Sequence, residues 1–173
     1  VDYYTPVGFK VPGVPQAYIS MPTTYYHWQE DGLPQKLDTS LATSRDLMNW
    51  WQPEPADREP FLRLGPDGSR SSGMVFANPW PVVVGNEIWI YYTATSAHHQ
   101  QYDNDSPTAV YRARLRLDGF VSVNAGYRGG EFTTPVVKFE GQRLELNMDS
   151  SAGGWLQVEI LSPHGTPMPG YSL

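Results

Sequence analysis

The sequence predicts an all-β protein, and three observations point to this fold class. Aromatic residues make up 13% of the chain, with six Trp and eleven Tyr, and such residues favour pleated sheet surfaces. Gly and Pro contribute 16 residues each, which is enough to form many turns. Short apolar and β-branched runs recur between these turns, whereas the nearest helical candidate, residues 44–51, is short and is followed by Pro53 and Pro55.

The strand signals are strongest in the first 125 residues. Gly85–Asn86 predicts the turn of a hairpin inside the segment 84–96. Residues 108–120 alternate, with apolar side chains at the odd positions 111–117 and arginines at the even positions 112–116, a pattern typical of a half-buried strand. The predicted strand segments are 16–20, 23–28, 37–44, 74–77, 81–84, 84–96 and 108–120.

The amino-acid composition of the sequence changes near residue 125. The following stretch is rich in Gly, and large aromatic residues become sparse. Residues 142–149 place Leu144, Leu146 and Met148 on one face, and residues 154–162 show the same period of two, which predicts strands of a small sandwich. We therefore expect two domains, at residues 1–125 and 126–173.

Composition and charge narrow the classes of partner. A net charge of −6, from 12 basic and 18 acidic residues, argues against nucleic acid as a partner. The absence of cysteine excludes disulfides, thiolate zinc sites and a cysteine nucleophile. No apolar run approaches the roughly 18–20 residues of a membrane helix, so no membrane association is expected. Bacterial cytoplasmic, periplasmic and secreted locations all stay open.

The order of motifs resembles a known family. The segments "DTSLATSRDLMNWWQP", "GMVFANPWPVVVGNEIWIYYTATSAHH" and "AVYRARLRLDGFVSV" are similar to the last blades of five-bladed β-propeller glycoside hydrolases of the family 32 and 43 clan and its relatives. The tail from residue 129, which begins "GGEFTTPVV", resembles the β-sandwich that often follows such a propeller. The resemblance implies partial propeller blades over 1–125 and a sandwich-like module over 126–173.

Length limits what this resemblance implies. A complete five-bladed propeller needs roughly 250–300 residues, because each blade is a four-stranded sheet. The expectation is therefore a portion of a larger carbohydrate-active protein, with the catalytic nucleophile and acid in blades outside this chain. Open sheet edges of an incomplete propeller predict a homo-oligomer.

Asp46 in "SRDLMNWW" admits two interpretations. As a catalytic residue it would be one carboxylate flanking a glycosidic bond, with Arg45 lowering its pKa. As a structural residue it would accept backbone N–H bonds in a tight turn, while Leu47 and Trp50 pack inward. The second interpretation is favoured, which leaves Arg45 as a substrate-binding candidate.

Histidines and tryptophans supply the remaining candidates. His98 and His99 follow a strand, and the resemblance implies that a His at this place lines the central pocket and hydrogen-bonds sugar hydroxyls, for which a neutral imidazole offers one donor and one acceptor. An inert polar loop is the alternative. The two histidines could also join Asp103 and Asp105 around a metal, although neighbouring side chains on a strand diverge; no metal and no cofactor are expected. Trp28 and Trp51 lie near charged turns and are stacking candidates, whereas core positions are predicted for three other tryptophans, namely Trp50, Trp80 and Trp89.

Two functions of different classes stay open. The first is a part of a glycoside hydrolase-like protein that contributes a pocket wall and is not expected to be catalytic alone. The second is a non-catalytic carbohydrate-binding or structural β module. Carbohydrate is the expected partner of the hydrolase-like part and of a binding module, whereas a structural module would pair with another copy through its sheet edges; whether the chain is an enzyme stays open.

Overall fold

The computed structural model describes residues 2–5, 8–25, 35–52 and 59–173. The chain divides into two compact units, Val1–Ser122 and Val123–Leu173. The all-β prediction is confirmed, because the described residues form two sheets and their helical content is a single 3-10 turn at His99–Gln101. No closed propeller is formed by these residues.

All strands of the described residues lie in the first unit. The strands are β1 Asp2–Tyr4, β2 Gly8–Lys10, β3 Tyr18–Ser20, β4 Thr23–Tyr25, β5 Leu37–Thr39, β6 Ala42–Ser44, β7 Trp50–Trp51, β8 Met74–Ala77, β9 Val82–Val84, β10 Glu87–Thr95 and β11 Thr108–Arg116. One sheet has seven strands in the order β1-β4-β5-β8-β10-β11, with β9 beside β10, and the other has the order β2-β3-β6-β7.

The chain changes sheet four times, from β1 to β2, from β3 to β4, from β5 to β6 and from β7 to β8, and the second and third of these crossings are joined by a backbone hydrogen bond. It leaves the four-stranded sheet after β3, where Pro22 lacks the N–H that a continuing ladder would need. It returns at Ser40, whose backbone N–H donates to the Pro22 carbonyl at 2.9 Å. The predicted strand 37–44 is therefore two strands, β5 and β6, which belong to different sheets.

The main core of the first unit is made from both sheets. Ile19 of β3 and Ile88 and Ile90 of β10 belong to this cluster and are at most 5% exposed. Met21 flanks the crossing from β3 to β4, Leu41 flanks the crossing from β5 to β6, and both are buried in the same cluster. These two crossings thus each contribute an apolar side chain to the core, and burial of such side chains is the dominant favourable term in folding.

The hairpin β9-β10 and the strand β11 form as the sequence pattern predicts. Gly85 in the predicted turn has a φ of +59°, which a glycine adopts without a steric penalty. β10 and β11 pair antiparallel over nine residues, and exposure alternates along β11 with the arginines on the exposed face. The inward residues Ala113 and Leu115 pack against the core.

The predicted strands at 142–149 and 154–162 are not formed. Residues 123–173 contain no strand, and their β pairing consists of the isolated bridges Gly126↔Gly129 and Leu161↔Pro167. Leu144 is 65% exposed and Leu146 is 50% exposed, so no second layer covers the apolar face of this segment. Alternation produces a stable strand only where a neighbouring strand and a facing layer are present, and this unit supplies neither.

A membrane-spanning helix is not found in the described part of the chain.

Candidate functional site

The segment "SRDLMNWW" forms the turn between β6 and β7. Ser44 ends β6 and is buried, and its Oγ accepts the backbone N–H groups of Asp46 and Leu47 at 3.2 and 2.9 Å. The chain then reverses through Leu47, whose φ is +66°. Trp50 and Trp51 form β7, which pairs antiparallel with β6.

The Asp46 carboxylate is engaged within this turn. Its Oδ1 accepts the backbone N–H groups of Met48 and Asn49 at 2.9 and 2.8 Å, and the Ser44 hydroxyl at 3.1 Å. Its Oδ2 accepts the Asn49 side-chain amide at 2.7 Å. The hydrogen bonds from the Asn49 backbone and side chain, followed by those from Met48 and Ser44, hold the pKa of Asp46 well below its usual range. The carboxylate is therefore ionised and serves as the acceptor that closes the turn.

A cleft of about 410 Å³ opens beside this turn. We refer to it as the turn cleft. The turn contributes Arg45, Asp46 and Asn49 to its wall, and β7 contributes Trp51, which is 62% exposed. The remaining lining residues are Val11, Ala17, Tyr18, Ile19, Thr43 and Ser44.

Arg45 and Trp51 are exposed side chains on the wall of the turn cleft. Arg45 is exposed, and within the described residues no ion pair or hydrogen bond occupies its guanidinium group. The Trp51 backbone carbonyl accepts the Thr43 hydroxyl at 3.5 Å, a contact at the long limit of a hydrogen bond. The structure thus brings together three of the candidate residues predicted from the sequence, Arg45, Asp46 and Trp51.

The predicted inward packing of Leu47 and Trp50 is wrong. Leu47 is 51% exposed and Trp50 is 40% exposed. The Trp50 Nε1 donates to the Leu47 carbonyl at 3.1 Å, and its ring lies against Gly8 of β2, where a Cβ would come within 3.1 Å of the indole. Trp50 therefore covers the outside of the four-stranded sheet. Trp80, at 69% exposed, also lies outside the core, contrary to its predicted core position.

His98 and His99 diverge, and neither lines the turn cleft. His99 belongs to the 3-10 turn, and its imidazole stacks on Tyr4 and contacts Tyr25, with ring centres 5.6 and 4.8 Å apart. His98 lies near Asp67, whose pKa is lowered first by the hydrogen bond and charge of Lys36 and to a smaller extent by His98. Divergence of the neighbouring imidazoles agrees with the geometric expectation, although neither residue is on a strand: His99 begins the 3-10 turn and His98 immediately precedes it.

His99 lines a second cavity of about 450 Å³, which we call the His99 cavity. Its floor includes Met74 and Phe76 of β8, and its rim includes Tyr4 and Tyr102. The metal interpretation gains no support, because no group of three His, Cys, Asp or Glu side chains within the described ranges could hold an ion. Trp28 lies outside the described residues.

Tyr18 and Asn49 are among the lining residues of the turn cleft that the sequence reasoning missed. Tyr18 stands on β3, and Asn49 stands inside the turn itself. The alternation of residues 16–20 could have assigned Tyr18 to the face opposite Ile19. Asn49 could have been found as the residue three positions after Asp46, because a capping Asp side chain accepts the backbone N–H of the second or third residue after it.

Comparisons of the chain with family models, with curated proteins and with solved structures find no match.

Proposed function

We propose that this chain is a non-catalytic carbohydrate-binding portion of a glycoside hydrolase-like protein and that the turn cleft binds the sugar. The observation that carries the proposal is the presence of an exposed indole, Trp51, and an unengaged guanidinium, Arg45, on the wall of one cleft. Sugar C–H faces pack on an indole ring, while hydroxyl groups accept hydrogen bonds from planar donors such as guanidinium.

The polar groups of the turn cleft suit a neutral polyhydroxylated ligand. Arg45 supplies donors only, Asn49 supplies an amide, and Thr43 and Tyr18 supply hydroxyls that can donate or accept. Val11 and Ile19 add apolar surface beneath these groups. Pockets that combine apolar lining with a few placed polar groups are typical of small-molecule sites.

Binding is favoured over hydrolysis by the state of Asp46. Glycoside hydrolysis ordinarily requires two carboxyl groups flanking the scissile bond. Asp46 is the single carboxylate among the described lining residues of the turn cleft, and both of its oxygens already accept hydrogen bonds within the turn. In the proposed function Asp46 fixes the shape of the turn, and Arg45 and Trp51 contact the sugar.

The hydrolase function rests on the sequence resemblance to the propeller clan. In that interpretation the chain contributes a wall of a pocket, and the catalytic carboxylates belong to segments outside it. His99 would then contact sugar in the His99 cavity, at a place separate from the turn cleft. Association of copies through open edges also remains a proposal, and the short strand β9, with Val82, Val83 and Val84 exposed, is the edge best suited to it.

One pair of experiments tests the proposal. Calorimetric titration with a panel of neutral oligosaccharides should show saturable binding to at least one of them, and the same protein should not release the aryl group from a panel of aryl glycosides. If the protein hydrolyses an aryl glycoside and Asp46→Asn abolishes that hydrolysis, then Asp46 is catalytic and the proposed binding-only role is contradicted. Absence of binding across the panel would contradict the proposal.

A further inference from the structure

We infer that the outer edge of β11 is a docking edge for an acidic polypeptide strand, which would extend the seven-stranded sheet by one strand. This surface is separate from the turn cleft and concerns a protein partner. β11 ends the sheet, and among the described residues its only strand partner is β10. The free edge is nine residues long, Thr108–Arg116, and a long exposed edge is a ready template for an added strand.

The charge along this edge is unbalanced. Arg112, Arg114 and Arg116 all lie on the exposed face of β11. Glu87 is the acidic residue that faces them from β10: it stands opposite Arg116 in the register and lies 3.5 Å from the Arg114 guanidinium. Arg112 lies over the Trp89 ring, with its Cζ 4.1 Å from the ring centre. Three positive charges thus meet one negative charge on this face.

A second copy of β11 is a poor partner for this edge. In the antiparallel register that pairs all nine residues of both strands, Arg112 stands opposite Arg112 of the other copy. Arg114 then stands opposite Val110, so no acidic side chain compensates the charge. Like charges directly opposite each other destabilise a pair of strands. Pairing of β11 with β11 of a second copy is therefore unfavourable, whereas pairing with a strand that has acidic residues at alternate positions is favourable.

The remaining features of β11 fit the same partner. Its inward face carries Tyr111, Ala113 and Leu115, which are partly buried. An added strand would continue this face with apolar residues and would place carboxylates beside the arginines. Opposite charges in directly facing positions stabilise strand pairs, because their Cβ atoms lie only about 4.5–5.5 Å apart.

Labelled nine-residue peptides test the inference on the intact chain. One peptide alternates Glu with Val, a second alternates Lys with Val, and a third has the composition of the first with its glutamates clustered. We expect the alternating Glu peptide to bind about tenfold more tightly than either of the others, measured by fluorescence anisotropy. We also expect bound Glu peptide to slow amide hydrogen exchange within residues 108–116.

Charge-reversed variants supply the control. The triple variant Arg112→Glu, Arg114→Glu, Arg116→Glu should lose its preference for the Glu peptide. A matched variant with the same change in net charge at exposed sites elsewhere, Arg70→Glu, Arg128→Glu, Arg143→Glu, should keep it. Equal binding of the three peptides, no binding, or binding without slowed exchange in 108–116 would overturn the inference. The comparison of the three peptides on the unaltered protein tests the docking edge even if a triple variant does not fold.

Discussion

The carboxylate of Asp46 and the residue Asn49 are joined by two hydrogen bonds, one from the Asn49 backbone N–H at 2.8 Å and one from its side-chain amide at 2.7 Å. This pair closes the turn that connects β6 to β7 and thereby positions Arg45 and Trp51 on the wall of the turn cleft. Through this turn Asp46 shapes the wall of the cleft.

Asp46→Ala should lower the melting temperature by about 2–4 °C and weaken any sugar binding, because the turn loses its central acceptor. Asp46→Asn should lower it less, since an amide oxygen can still accept the backbone N–H groups of Met48 and Asn49. Differential scanning calorimetry measures both variants. Equal melting temperatures for Asp46→Ala and the unaltered protein would refute the structural role.

The lowered pKa of Asp46 predicts an acid-dependent contribution to stability. In the unfolded chain the carboxyl titrates near its ordinary value of 3.8, whereas in the folded chain its pKa lies well below that value. The contribution is therefore fully present above the unfolded pKa and is lost as the pH falls through the folded pKa. The difference in melting temperature between the unaltered protein and Asp46→Asn should shrink below about pH 4. A difference that is constant from pH 6 to pH 3 would speak against this origin.

Leu47 is expected to be a strained position. Its φ of +66° lies in the left-handed region, which costs a side chain with a Cβ about 1–2 kcal/mol. Leu47 is also 51% exposed, so its truncation removes little packing. Leu47→Gly should leave the free energy of unfolding unchanged or raise it by about 1 kcal/mol in urea titrations. The neighbouring Met48→Gly, at a position without a positive φ, is the control and should lower it. A loss of stability in Leu47→Gly as large as that in Met48→Gly would contradict the assignment of strain.

Ile90 is a fully buried position in the core of the first unit. It is 0% exposed and lies on β10, opposite Ala113 of β11. Ile90→Ala should lower the free energy of unfolding by about 2–5 kcal/mol, because truncation removes buried surface and leaves a cavity. Val110→Ala, at a position 72% exposed on β11, should change it by less than about 0.5 kcal/mol. Similar effects of the two substitutions in urea titrations would contradict the observed burial.

The hairpin and β11 could be predicted closely because their signals are local. A glycine turn fixed the reversal at Gly85–Asn86, and the alternation of apolar and charged residues in 108–116 fixed which side faces the core. The division of residues 37–44 into the two strands β5 and β6 could not be predicted from local sequence signals. It depends on the pairing of β5 with the distant β8 and of β6 with β3, which no local pattern encodes.

The candidate site was predicted in part for the same reason. Arg45, Asp46 and Trp51 lie in one short segment, so a single turn brings them together. Exposure of Trp50 and Trp80 could not be deduced from apolar neighbours in the sequence, because it depends on which sheet face a second layer covers. The prediction of a strand over 142–149 was wrong for a related reason. The alternation of its residues specifies an apolar face but does not supply a second layer to bury that face.

The central claim is that Trp51 forms the sugar platform of the turn cleft, and a matched pair of substitutions tests it most directly. Trp51→Ala removes an indole on the cleft wall, whereas Trp80→Ala removes an indole of similar exposure, 69% against 62%, that lines neither cavity. Calorimetric titration with the oligosaccharide that binds the unaltered protein should show at least about a tenfold weaker affinity for Trp51→Ala and an unchanged affinity for Trp80→Ala. Equal affinities of the two variants for that oligosaccharide would contradict the claim.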